Sequence, residues 1–428
     1  MFAFLLDDYV VIDMACGFGW CGSPAWYFLP GALINGLYEA AIPAIDDLKG
    51  SREPFAGNMW CDDHTCIELD TGIRCYEANL SLRRAMTTVL GPTAINERKF
   101  TGWFEHGKAL GLIWDTSRGT VSIPPDKIEK ACGRVRDALH SATVSKTSLE
   151  RLLGSLRHFA TCCPSARAFF QRLQTLATST RRHHHRPLSA SALEDLRWFR
   201  AILSKDERFN GIPVSTFGRI SSPSVHVHMD ASNDGLCALD PALRQFIRLQ
   251  FTSETKASIA ADSTVNSINV RELLSGVLAA LLWGPVWSRS ATRHPVHICF
   301  WIDNVSAVAW TQRRASQQPL AQLYNRLLSL AEFQYDIICS AEHVPGVRNI
   351  MADAGSRAWT SDHKLFPVWT NLSCGWTQVP VVPPYDDLST LWALCSEDTP
   401  SQNLPPPSIA RTGCSGASSH STCGGRHD

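Results

Sequence analysis

The chain has 428 residues, 44% of them hydrophobic, and a formal net charge of zero. That length allows roughly two or three domains, each with a buried core of its own. No uninterrupted apolar stretch of about 18 residues occurs, which argues against a membrane span. The start has neither the basic residues nor the small-residue cleavage site of a secretory signal. Fifteen cysteines are scattered, odd in number and without such a signal, so reduced thiols and an intracellular location (cytoplasmic, nuclear or both) are expected. Charge is uneven. Residues 1–95 hold 5 Lys/Arg against 12 Asp/Glu, and residues 96–200 hold 18 against 9. A basic segment beside an acidic one fits a phosphate-tracking surface next to a carboxylate-rich one, and equally fits helices with solvated basic faces.

Residues 1–115 mix short apolar runs with Gly and Pro, a mixed α/β pattern. They open inside apolar, motif-rich sequence, as though a preceding segment had been removed. Residues 116–123 predict a hairpin entering a strand at Thr120-Val121-Ser122-Ile123. Helices are predicted over 126–140, with Ile128, Ala131, Val135 and Leu139 on one stripe, and over 147–160, with Leu149, Leu152, Leu153 and Leu156. Thr147 or Ser148 is the expected cap of the second. A polar loop, Arg181 to Pro187, precedes a helix through Leu193, Leu196, Phe199 and Leu203. Pro and Ser at 221–224 mark a boundary, and residues 225–358 are expected to form an independent α/β unit.

Within that unit Val225 to Met229 alternates as a strand does. A helix follows Asn269, a strand runs His297–Ile302, a helix spans 319–333, and a strand spans Tyr335–Cys339. From 396 the chain turns rich in Pro, Ser and Gly, and a disordered tail over 396–428 is expected. Cys414, His420, Cys423 and His427 in that tail match no standard zinc spacing.

Four acids stand out by context. Asp230 and Asp303 each end a strand, Glu272 sits early in an apolar helix, and Asp353 opens another helix. Acids at the ends of neighbouring strands project to one sheet edge, where acids on packed helices can join them. Such a cluster repels itself unless cations fill it. Hard divalent ions such as Mg²⁺, with Mn²⁺ as the alternative, suit carboxylate oxygens. Two ions about 3.5–4 Å apart can activate a water and stabilise the leaving oxygen of a phosphodiester.

These motifs resemble the RNase H domain of retroelement reverse transcriptases. The matching runs are His228-Met229-Asp230-Ala231-Ser232, Asn269-Val270-Arg271-Glu272-Leu273, Trp301-Ile302-Asp303-Asn304 and His343-Val344-Pro345-Gly346-Val347-Arg348-Asn349-Ile350-Met351-Ala352-Asp353-Ala354-Gly355-Ser356-Arg357. The resemblance implies a five-stranded mixed sheet with flanking helices over 221–360. It also implies four metal-binding acids, Asp230, Glu272, Asp303 and Asp353, with His343 aiding proton transfer or product release. Arg271, Arg348 and Arg357 are expected to hold backbone phosphates of an RNA–DNA hybrid, whose RNA strand is cleaved.

The preceding part resembles the rear of a reverse transcriptase palm (1–115) and helical thumb and connection (116–205). Trp60-Cys61-Asp62-Asp63-His64 resembles the metal-binding polymerase pair, giving Asp62 and Asp63 as ligands at a primer–template end. Cys16-Gly17-Phe18-Gly19-Trp20-Cys21-Gly22-Ser23-Pro24 resembles the element touching template and nucleotide. Asn96-Glu97-Arg98-Lys99 and the run from Lys108 to Asp115 resemble the lysine motif and primer grip, which makes Lys99 and Lys108 nucleic-acid contacts. The fingers and the first catalytic aspartate motif are missing. The resemblance therefore implies an N-terminally truncated fragment of a gypsy-like or DIRS-like retrotransposon protein, without polymerase activity of its own. The alternatives are an inactive nucleic-acid-binding remnant and an integrase- or transposase-type nuclease.

Overall fold

The computed structural model describes residues 2–13, 22–43, 53–60, 63–218, 221–262, 264–289, 295–396 and 403–407. The chain divides into two compact units, Met1–Ala109 and Leu110–Asp428.

In the first unit, helices Ser23–Glu39 and Arg74–Leu90 pack with the hairpin of strands Ala56–Trp60 and Asp63–Ile67. A small core of Ile34, Tyr38, Phe55, Ala78, Leu82 and Ala85 holds them. Glu68 ties the hairpin exit to both helices, accepting from Tyr38 Oη at 2.7 Å and Arg74 Nε at 2.8 Å. The hairpin pairs Trp60 with Asp63, so Asp63 opens the return strand and is exposed. Asp62, Phe18 and Trp20 lie outside the described residues. Trp26 is 58% exposed, with Tyr27, Phe28 and Leu29 beside it in the helix.

In the second unit, α1 (Pro125–His140) and α2 (Lys146–Phe159) form where expected. The cap of α2 is Ser145, not Thr147 or Ser148. Its hydroxyl accepts the Ser148 amide at 3.1 Å, and the Ser148 hydroxyl accepts the Ser145 amide at 3.0 Å. This reciprocal box satisfies two otherwise orphaned donors. α3 (Gln171–Ser179) and α4 (Ala190–Leu203) follow. Leu149, Leu152, Leu156, Phe159, Leu196, Trp198, Phe199 and Ile202 are all buried in one core.

That core does not stop at residue 221. It continues through a six-stranded sheet built from β1 (Val225–Ala231), β2 (Gly235–Asp240), β3 (Gln245–Gln250), β4 (Val296–Ile302), β5 (Ile337–His343) and β6 (Thr377–Val379). The order is β5-β4-β1-β2-β3-β6. β1, β2 and β3 are an antiparallel meander, while β4 and β5 add parallel to β1. Five of its strands lie within 221–360 and form a mixed sheet there, as expected. β6, which lies beyond residue 360, pairs parallel with β3.

Several helices cover the sheet. α5 (Ser253–Ala261) leads into α6 (Ile268–Ser288). α6 is long and apolar enough to cross a membrane by length and composition, yet most of it is buried inside the unit. A side chain at Gly276 would press on Phe300 and Met229, which shows how closely α6 lies on the sheet. α7 (Val305–Arg313), α8 (Pro319–Tyr335), α9 (Ile350–Arg357), α10 (Phe366–Leu372) and α11 (Leu388–Cys395) complete the unit. A second apolar cluster joins Cys237, Leu239 and Phe246 of the sheet to Ala352, Ala354 and Trp369.

The segment 225–358 packs against 116–205 within this unit. Asp195 of α4 and Arg326 of α8 meet at 2.9 Å with both side chains fully buried, and Gln322 donates to the Ala168 carbonyl at 2.6 Å. Tyr335, expected in a strand, ends α8. Asp336 then caps the helix in the left-handed conformation, at φ 54°, before β5 begins. The tail also differs in part from a disordered segment: Leu404 is buried, and its amide donates to Gln334 Oε1 at 2.6 Å. Cys414, His420, Cys423 and His427 lie outside the described residues.

Candidate active site

The parallel register pairs Met229 with Ile302. The next residues, Asp230 and Asp303, therefore leave neighbouring strand ends side by side. Glu272, in the second turn of α6, reaches the same edge, and its Oε1 accepts the Ala231 amide at 2.9 Å. One carboxylate oxygen from each of Asp230, Glu272 and Asp303 lies within 4.8 Å of the others. Asp230 and Glu272 are each only 1% exposed, while Asp303 is partly exposed.

Burial and mutual repulsion disfavour the charged forms. Burial pushes the Asp230 carboxyl up to about 7, Asp303 and Asp353 add to the rise, and a hydrogen bond from Ser356 opposes it. Glu272 is raised well above the carboxylate range, first by burial and then by Asp230 and Asp303. Burial also raises Asp303, with the Asp353 charge adding. Raised carboxyls at a sheet edge mark a functional site more often than a structural one.

Asp353 lies in the first turn of α9 and stands apart from the cluster of three. Its carboxylate accepts from Arg357 Nε at 2.6 Å, an ion pair one helical turn long. Asn349, just before α9, donates to the Met229 carbonyl at 2.8 Å and so docks that helix beside Asp230. His343 is exposed at the end of β5, and its charge acts on Asp303. Arg348 and Arg357 are exposed.

Arg271 is buried, unlike Arg348 and Arg357. It is 4% exposed; its two terminal nitrogens donate to Asn233 Oδ1 at 3.0 Å and the Asn266 carbonyl at 3.2 Å, and its Nε is buried without a partner. These bonds brace two loops beside Glu272. Lys99, Lys108 and Asp63 are exposed on the first unit. The sequence reading assigned no role to Ser232, Ser356 or the asparagines. Asn304 Nδ2 donates to Asn269 Oδ1 at 2.7 Å, joining the starts of α6 and α7 next to Asp303. Only the spacing of Ser356, three residues after Asp353, signals a shared helix face.

The site fits a divalent cation. Its donors are all carboxylate oxygens, the set hard cations select. Glu272 Oε2 is buried and has no protein partner, an arrangement that is costly unless a cation or water meets it. The three acids can hold a metal ion.

No family model matches the sequence, and no curated protein does. Among solved structures the chain is similar to a foamy viral protease–reverse transcriptase in complex with double-stranded DNA. The identity is 12%, the TM-score is 0.36, and the match covers 77% of this chain and 59% of that one. It is also similar to a dRH form of the same viral protein with double-stranded DNA, at 10% identity and a TM-score of 0.30, over 67% of this chain and 46% of that one. The chain thus spans about half the length of these two proteins.

Proposed function

We propose that the second unit is a metal-dependent ribonuclease cleaving the RNA strand of RNA–DNA hybrids, within a retroelement reverse transcriptase/RNase H protein. The observation that carries this reading is the meeting of Asp230, Glu272 and Asp303 within 4.8 Å at the ends of two adjacent parallel strands. With Asp353 they would hold two Mg²⁺ ions. Bound there, the ions supply an activated water and charge stabilisation at the leaving oxygen.

The chain's own residues supply the rest. The Ala231 amide holds one oxygen of Glu272 and leaves the other free for a cation. Arg357 pairs with Asp353 and balances its charge. His343, exposed at the end of β5, would move a proton or ease product departure. Arg348 and Arg357 offer exposed cations to the phosphates, and 2′-hydroxyls would identify the RNA strand. In the first unit, Asp62 and Asp63 with Lys99 and Lys108 are read as the primer–template end of a partial palm, with 116–205 as thumb and connection.

The test is cleavage of an end-labelled RNA–DNA hybrid by the full chain with Mg²⁺ or Mn²⁺. Loss of cleavage on Asp230→Asn is expected, with hybrid binding retained. No cleavage by folded wild-type protein would overturn the reading. Preference for duplex DNA over hybrid would instead place the chain with integrase-type nucleases.

A further inference from the structure

We propose that Ser356 is a positioning residue that locks the Asp230 carboxylate in the orientation needed to bind metal. The inference rests on reading the acid cluster as a metal centre and goes one step outward from it. Ser356 is fully buried, and its hydroxyl donates to Asp230 Oδ2. The same hydroxyl lies 3.0 Å from the Asp353 carbonyl one turn back in α9. One proton thus has two acceptors, and the carboxylate is the stronger because its bond is charge-assisted.

The hydroxyl is itself held in place. The Ser356 carbonyl accepts Ser232 Oγ at 2.8 Å and Trp359 Nε1 at 2.7 Å. Arg248 donates to the Gly355 and Ala358 carbonyls at 2.7 and 2.8 Å, on either side of Ser356. A side chain at Gly355 would strike Cys237 and Trp369, so α9 cannot lift off β2 without a cavity opening. The backbone around Ser356 is therefore held by Arg248 of β3, by Ser232 in the turn after β1 and locally by Trp359, and its hydroxyl has little freedom.

Asp230 needs such a clamp. It faces Glu272 and Asp303, two groups of the same sign, inside a buried edge. A carboxylate in that position turns away from its neighbours unless something holds it. Groups that orient ligands are typically worth about 10- to 100-fold in metal affinity. A purely structural role for Ser356, satisfying its own helix through the Asp353 carbonyl, would leave metal affinity unchanged.

The experiment measures Mn²⁺ binding to the full chain by the electron paramagnetic resonance signal of free Mn²⁺, without nucleic acid. Asp230→Asn defines the site-dependent fraction. Ser356→Ala is expected to weaken that fraction by roughly 10- to 100-fold, and Ser356→Thr, which keeps the hydroxyl, to stay near wild type. Ser232→Ala is the comparator, because it removes a hydroxyl from the same buried network without touching Asp230. It is expected to weaken Mn²⁺ less than Ser356→Ala does. If Ser356→Ala binds Mn²⁺ as wild type does, or if the two alanine variants lose affinity equally, the proposal is overturned. Wild-type binding that ignores Asp230→Asn would instead remove the metal-centre reading itself.

Discussion

Glu272 accepts the Ala231 amide at 2.9 Å, so the helix that carries one acid is pinned to the strand that carries another, one residue beyond Asp230. The hydrogen bond uses Oε1 and leaves Oε2 buried without a partner. Replacing Glu272 with Gln keeps an oxygen to accept the hydrogen bond and removes the ability to ionise when a cation binds. Glu272→Gln is expected to keep the fold and abolish metal-dependent cleavage. Its metal-free stability should equal or exceed wild type, because a strained acid at a functional site is relieved. Chemical denaturation without metal, beside a cleavage assay, checks both; a marked loss of stability would show that the charge is structural.

The raised carboxyls make metal-free stability depend on pH. Asp230 titrates at about 7 in the folded protein, above the ordinary value of 3.8. The folded state therefore binds more protons than the unfolded state between those values. Stability should fall as pH rises from about 4 to 7 and level off above, with Glu272 and Asp303 adding in the same direction. Mg²⁺ favours the ionised acids and should flatten or reverse the trend. Denaturation midpoints across that range, with EDTA and with Mg²⁺, test the sign. Rising metal-free stability over this range would contradict it.

Exposed and buried arginines should separate cleanly. Arg348 is exposed, and Arg348→Ala should weaken hybrid binding evenly across sequences and lower the salt dependence by about one unit of slope. Arg271→Ala should leave that slope alone and instead cost stability, because Asn233 and the Asn266 carbonyl lose their donor. Binding isotherms at several salt concentrations, paired with melting curves, distinguish the two. An unchanged melt for Arg271→Ala would return it to the phosphate contacts.

The parts legible in sequence are those set by local pattern. Alternation over 225–229 and the acids closing two apolar runs were enough to foresee Asp230 and Asp303 at one edge. The parts that were not legible depend on distant partners. Thr377–Val379 has no periodicity to read, and only register with β3 makes it a strand. Leu404 is buried because Gln334 takes its amide, 70 residues away. Arg271 looks exposed in its motif because its partners come from other loops. The boundary at 221 looked real since Pro and Ser mark it, yet Trp198, Phe199 and Leu327 share one core across it.

His343→Ala is expected to slow hybrid cleavage without abolishing it, by roughly 10²–10⁴-fold, the range of a positioned acid–base group. The residue is exposed at the end of β5 and is no part of the acid cluster, so Mn²⁺ binding should persist. Loss of both activity and Mn²⁺ binding would make it a ligand instead.

The buried pair Asp195 and Arg326 gives the sharpest test that helices before residue 221 belong to the same folding unit as the sheet. The two side chains meet at 2.9 Å with no exposure. Arg172 lies 3.9 Å from Asp195, and Trp392 of α11 stacks within 5.8 Å of the Arg326 guanidinium. Asp195→Asn preserves shape but leaves Arg326 charged and uncompensated, at a cost of about 3–5 kcal/mol. Replacing both, as in Asp195→Leu with Arg326→Met, removes the charges together and should recover most of that loss. The recovery requires contact between α4 and α8, so a double-mutant cycle on the full chain reads the packing directly. Because one core spans both segments, they should unfold together in every variant, whatever the separate unit Met1–Ala109 does. Additive effects, or unfolding of 116–205 separately from 221–360 with only one of these two segments moved by Asp195→Asn, would mean that 221–360 is an independent domain.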